Sequence, residues 1–111
     1  MSACRCETPP FDYRDFQSTP VGIDETNGRF AEVSIETCRH CGTKWLRYLV
    51  EYEAFSESGR WYRGRLTAEM EQALTPERAV AMLESLTWHF YGGSYFRTTG
   101  QKGVGPLCVD L

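Results

Sequence analysis

The sequence predicts an α+β fold in which an antiparallel β-sheet, built on a long hairpin, carries one packed helix. Three observations lead there: apolar and polar residues alternate from 29 to 37, two aromatic-rich runs at 44–55 and 60–71 flank a glycine turn, and an amphipathic stretch covers 75–91. With 111 residues, of which 41% are hydrophobic, 14% aromatic and 24% charged, the chain is expected to form a single domain over 1–111, unlike a disordered polypeptide. Its expected parts are an irregular N-terminal segment (1–28), the sheet (29–71), the helix (75–91) and a glycine-rich C-terminal segment (92–111).

Pro9-Pro10, Pro20, Gly22 and Asn27-Gly28 punctuate the first segment and predict mostly irregular structure, pinned to the body by Phe11, Tyr13 and Phe16. Ala31, Val33 and Ile35 alternate with Glu32, Ser34 and Glu36, the period of a half-buried strand. For the hairpin, a three-residue loop Glu57-Ser58-Gly59 pairs Leu46 with Met70, Tyr48 with Ala68, Val50 with Leu66, Tyr52 with Gly64 and Ala54 with Tyr62 on an apolar face. The opposite face then pairs Arg47 with Glu69, Glu51 with Arg65, Glu53 with Arg63 and Phe55 with Trp61. Thr75-Pro76-Glu77 starts a helix through a cap, a proline at the first position and an acid in the first turn. Ala79, Val80, Leu83, Leu86 and Phe90 continue it to Gly92-Gly93, and Ser94–Thr98 is expected to form a further strand.

The cysteines carry the sharpest chemical signal. Four of the five lie in close pairs, Cys4-Arg5-Cys6 and Cys38-Arg39-His40-Cys41-Gly42. A tetrahedral zinc ion takes four thiolates, and two tight turns of two cysteines supply them. Gly42 suits a knuckle that passes through positive φ. One structural zinc ion held by Cys4, Cys6, Cys38 and Cys41 is therefore expected, closing the long interval 7–37 onto the body of the fold. A redox dithiol and unrelated buried thiols are the competing readings, and His40 is an alternative ligand within the knuckle. Cys108 reads as an ordinary buried thiol.

The run Cys38-Arg39-His40-Cys41-Gly42 followed by the strand from Thr43 to Phe55 resembles a zinc-ribbon knuckle, in which metal is gripped at the end of a β-hairpin. The resemblance implies metal ligation by Cys4, Cys6, Cys38 and Cys41, and leaves function open because ribbons serve transcription, translation and protein contacts alike.

Net charge is −3, which argues against a phosphate backbone as partner. No apolar run approaches the length needed to span a bilayer, and the first residues lack the apolar core of a signal peptide, so a cytoplasmic protein without a membrane role is expected. Ten arginines against two lysines, with two isoleucines and one asparagine, point to a GC-rich, bacterial source. His40 lies inside a knuckle and His89 at the expected helix end, so neither suggests a general base and no enzyme is expected. Trp45, Phe55, Trp61, Arg63 and Arg65 share the outward face of the predicted hairpin, and aromatic side chains beside arginines are the usual anchors of protein interfaces. A small zinc-binding protein with a non-enzymatic protein partner follows, of the inhibitor or immunity type. The alternatives are a zinc-ribbon nucleic-acid or transcription accessory and a thiol redox protein.

Overall fold

The computed structural model describes residues 4–52 and 54–110. Its centre is a six-stranded antiparallel sheet in which every strand lies beside its neighbour in sequence. The strands are β1 (Phe16–Asp24), β2 (Ala31–Cys38), β3 (Lys44–Val50), β4 (Arg60–Arg65), β5 (His89–Gly93) and β6 (Thr98–Gly103). Two short helices, α1 (Ala68–Ala73) and α2 (Ala79–Ser85), interrupt the run between β4 and β5.

Because side chains alternate across a strand, each residue type commits to one face. The inner face gathers Ala31 and Val33 of β2, Leu46, Tyr48 and Val50 of β3 and Tyr62 of β4, packed against Ala79 and Leu83 of α2 and Val109 near the C-terminus. Full burial of each aliphatic side chain here contributes about 1.5–3 kcal/mol. Gly64 is required where α2 lies closest. A Cβ there would fall 2.4 Å from Leu86 Cδ1 and 2.6 Å from Leu83 Cδ2. Tyr48 carries a deeply buried polar link of this face, its hydroxyl donating to Asp24 Oδ2 at 2.6 Å, with Arg29 Nη1 3.3 Å from the same oxygen. Arg29 also grips Asp110, and the Tyr52 hydroxyl donates to the Val109 carbonyl, so the C-terminal segment is tied down.

The outer face holds a second cluster, Cys6, Phe16, Cys38, Trp45 and Phe90, with Cys4, Phe11, Trp61 and Trp88 packed around it. Its cover is residues 4–16. The strand predicted at 29–37 is present as β2, and the assignment to two faces holds for the hairpin residues that lie in β3 and β4, not for 51–59 or 68–71. Several other expectations are corrected. The segment 1–28 is not mostly irregular, since β1 spans Phe16–Asp24; Pro20 is accommodated because β1 is an edge strand with a register shift between Pro20 and Gly22.

The hairpin arms end at Val50 and begin again at Arg60, and the register pairs Leu46 with Gly64, Arg47 with Arg63, Tyr48 with Tyr62 and Val50 with Arg60. The predicted pairs differ from these by an even slip, which preserves the faces and changes every partner. The expected three-residue turn is replaced by the connection 51–59, closed where the Tyr52 amide donates to Ser58 Oγ (3.0 Å) and that hydroxyl donates to the Tyr52 carbonyl (2.8 Å). Glu53, and with it the expected pair with Arg63, lies outside the described residues. Residues 68–71 turn into α1 instead of continuing the strand, because Thr67 caps it by accepting the Met70 amide at 3.2 Å.

The helix expected over 75–91 stops at Ser85. His89 and Phe90 belong to β5, where both side chains are buried, Phe90 pairing with Arg63 of β4 and His89 with Gly103 of β6. Ser94–Arg97 is the turn that leads into β6, and the glycine-rich C-terminal segment supplies that edge strand. Cys108 is exposed, and its backbone carbonyl accepts from Arg60 Nη1 and the Tyr62 hydroxyl.

Candidate metal centre

Cys4 precedes and Cys6 lies within a single 3-10 turn, Arg5–Glu7, where the Glu7 amide donates to the Cys4 carbonyl at 2.9 Å. The second pair sits where β2 ends. The Gly42 amide donates to the Cys38 carbonyl (2.9 Å), the Cys38 amide donates to the Thr43 carbonyl (2.8 Å), and Gly42 takes φ +78, closing the knuckle as its glycine requires. The His40 amide points at Cys38 Sγ, 3.4 Å away.

These turns bring Cys4 Sγ to 3.6 Å from Cys38 Sγ and Cys6 Sγ to 3.5 Å from Cys41 Sγ, with all four sulfurs within 4.8 Å of one another. Four thiolates about 2.3 Å from a common centre stand about 3.8 Å apart in a tetrahedron, so the cluster has the dimensions of a four-sulfur metal site. The cysteines are free thiols. Cys6 and Cys38 are buried, Cys4 is half-buried and Cys41 is exposed.

The electrostatics fit the same chemistry. Burial pushes the Cys6 thiol well above its ordinary range, and the neighbouring thiols add to the rise while Trp45 opposes it. Cys4 receives a backbone hydrogen bond from Cys6 that favours its thiolate, yet burial and the Cys41 and Cys38 thiols outweigh it and the net shift is upward. Cys41 moves the other way, to about 6, because the Thr43 hydroxyl and amide stabilise its thiolate. Crowded thiols resist charging together unless a cation neutralises them, which a divalent ion does while displacing the protons. Trp45 Nε1 is buried without a hydrogen-bond partner among the described residues, a donor suited to a thiolate at Cys6.

His40 is not part of the cluster. Its Nε2 lies 2.8 Å from Asp15 Oδ1, and the Asp15 carbonyl accepts the Arg39 amide, so the knuckle is lashed to the N-terminal cover instead. The outward aromatic set is divided by the structure. Trp45 is fully buried beneath residues 4–16 and beside Trp88 and Phe90. Phe55, 56% exposed, stands apart in the 51–59 connection. Arg65 lies over the Trp45 ring and pairs with Glu7. Trp61 and Arg63 remain together, lining a cleft with Phe11, Glu36 and Arg47. His89, expected at a helix end, is buried in β5 against Tyr62.

Sequence reasoning passed over Glu36, Arg47 and Phe11 as site residues. Phe11 and the unusual density of arginines in β3 and β4 were the available signals. The fold and the cluster together define a mostly-β α+β protein with four cysteines at metal-binding distance. No protein-family profile, curated protein or solved structure matches this chain. No helix among the described residues is long and apolar enough to cross a membrane.

Proposed function

We propose that Cys4, Cys6, Cys38 and Cys41 hold one structural zinc ion and that the protein is a non-enzymatic protein-binding module. The observation that supports the metal is the convergence of two separate cysteine turns on one point at tetrahedral sulfur spacing. Four thiolates fill the shell and leave no position for a substrate, which favours scaffolding over catalysis. Binding is supported by large aromatic side chains turned outward, Tyr13 at 85% exposure and Phe55 among them, on a chain rich in arginine.

A second reading, a thiol redox site, is favoured by the exposure of Cys41 and the pull of Thr43 toward its thiolate. Elemental analysis of the purified protein, with thermal melts before and after chelation and a measured alkylation rate, separates the two. One equivalent of zinc, a lower melting temperature after chelation and slow alkylation are expected. Metal-free protein that melts unchanged and alkylates quickly at Cys41 overturns the zinc assignment in favour of thiol chemistry. One equivalent of iron replaces the ion, since four thiolates accept either metal.

A further inference from the structure

The outer face carries a second feature that the metal centre does not use. Beside the covered aromatic cluster lies a cleft of about 1040 Å³, walled on one side by Phe11 and Tyr13 and on the other by the turn from Gly93 to Thr99. Its floor is built from Glu36, Arg47, Trp61 and Arg63.

The register of the sheet places Arg47 of β3 directly opposite Arg63 of β4. Like charges in that position repel, and neighbouring side chains normally answer them. Here the answer is incomplete. Glu36 is the one carboxylate among the described residues of the floor, and its Oε1 stands 3.9 Å from Arg47 Nε. Glu36 Oε2 and Arg63 Nε and Nη1 are buried with no hydrogen-bond partner among the described residues, so the two side chains do not bond each other there. Arg63 is 6% exposed, with its guanidinium carbon 4.8 Å from the Phe11 ring centre and 4.4 Å from that of Phe16. The rings hold the group in place and provide no acceptor in its plane. Burial lowers its pKa to about 10, which leaves it charged at neutral pH.

Among the described residues of the floor, two arginines against one glutamate leave one positive charge, with Arg63 buried and Arg47 half-buried beside the open cleft. Buried unpaired donors of this kind are costly; Nε and Nη1 are closed to solvent, so a ligand in the cleft meets the guanidinium at its remaining nitrogen, where a carboxylate is the acceptor that forms a strong, charge-assisted hydrogen bond. The cleft is at the upper end of the volume of sites for small organic ligands, far more than one ion fills. Its rim bears exposed Tyr13 and Arg97, the side-chain types that anchor protein interfaces, and hydroxyls from Ser18, Ser94, Thr98 and Thr99.

We propose that this cleft receives an acidic segment of a partner protein, with one Asp or Glu carboxylate seated on Arg63 and Arg47. The assignment rests on the protein-binding reading and gives it a ligand chemistry. Arg97 at the rim already faces Glu57, so it adds attraction at the entrance without holding the seated carboxylate.

The test is an NMR titration of the metal-loaded protein with a capped four-residue glutamate peptide, its glutamine counterpart, and inorganic phosphate, following the arginine Nε–H signals. The glutamate peptide is expected to move the Arg63 and Arg47 signals and to weaken as salt is raised, while the glutamine peptide leaves them still. Arg47→Gln is expected to weaken the peptide by about tenfold or more with the melting temperature little changed; Arg63→Gln is expected to abolish the response. Because Arg63→Gln risks the packing of Phe11 and Phe16, the half-buried Arg47 variant decides the matter. Unmoved arginine signals at millimolar peptide, movement equal for both peptides, or an equal response to phosphate overturns the proposal. Failure here, in protein that carries its metal, is distinct from failure of the metal reading, which shows as protein without zinc.

Discussion

The two faces of the sheet are covered by different means, and the contrast explains why the chain needs both its helices and its cysteines. The inner face is closed by aliphatic packing against α2 and the C-terminal segment, with Leu46, Tyr48, Val50 and Leu83 fully buried. The outer face is closed by residues 4–16, which contain single 3-10 turns and no long helix. A short irregular cover has little apolar surface to offset the entropy of ordering it. The proposed metal at the cysteine cluster would supply, beside the packing of Phe11 and Phe16, what so short a cover lacks. One face is thus a conventional core, while under the proposed zinc assignment the other leans on metal ligation as well.

The largest effect that separates the faces is removal of the metal. Apparent zinc-binding energies in small fingers are about 10–16 kcal/mol, so chelation, or Cys38→Ser, is expected to release residues 4–16 first. Hydrogen exchange should accelerate at β1 and the knuckle while β3 and β4 stay protected. Uniform acceleration across the sheet would erase the distinction between the faces.

The converse probe is Leu83→Ala, which empties part of the inner core without touching the cysteines. A loss of about 2–5 kcal/mol is expected in a denaturant melt, with zinc content unchanged.

A smaller effect sharpens the polar contribution to the inner face. Burial alone would raise the Asp24 carboxyl, but Thr26, the Tyr48 hydroxyl and Arg29 outweigh it and hold it below the usual carboxylate range. A carboxyl depressed in the folded state stabilises above its unfolded value, near 4, and that stability is lost as pH falls through the lower folded value. Tyr48→Phe is expected to cost about 1–3 kcal/mol at neutral pH. Its difference from the parent protein should shrink between pH 5 and the acid limit, as thermal melts of both would show, loss of metal being common to the two.

The smallest expected effect is at the margin of both faces. Lys44 Nζ lies 2.9 Å from Glu71 Oε1, joining β3 to α1 through exposed side chains. Lys44→Gln should change stability by no more than about 1 kcal/mol, and less at high salt, in the same melts.

Much of this arrangement was legible in the residues. The paired cysteines announce the four-thiol cluster because residues within a tight turn are neighbours in sequence. The alternation in β2 and in the hairpin arms assigns side chains to faces, since a period of two survives any even slip. Register did not survive it. Opposite-charge pairing favoured Arg47 beside Glu69, yet packing of Tyr48 on Tyr62 and of Gly64 under α2 outweighs what exposed ion pairs contribute. The apolar spacing through Phe90 is equally compatible with a helix, and β4 captured Phe90 because an added strand satisfies its backbone and completes the outer cluster.

Composition, the strand period and the cysteine spacing are local properties, and they sufficed for the fold class, the two-sided character of β3 and β4 and the four thiols of the cluster. The strand order, the burial of Trp45 beneath the N-terminal cover and the opposition of Arg47 to Arg63 arise from contacts between residues distant in sequence. Such contacts depend on which packing wins over the whole molecule, and no short window of residues contains that competition.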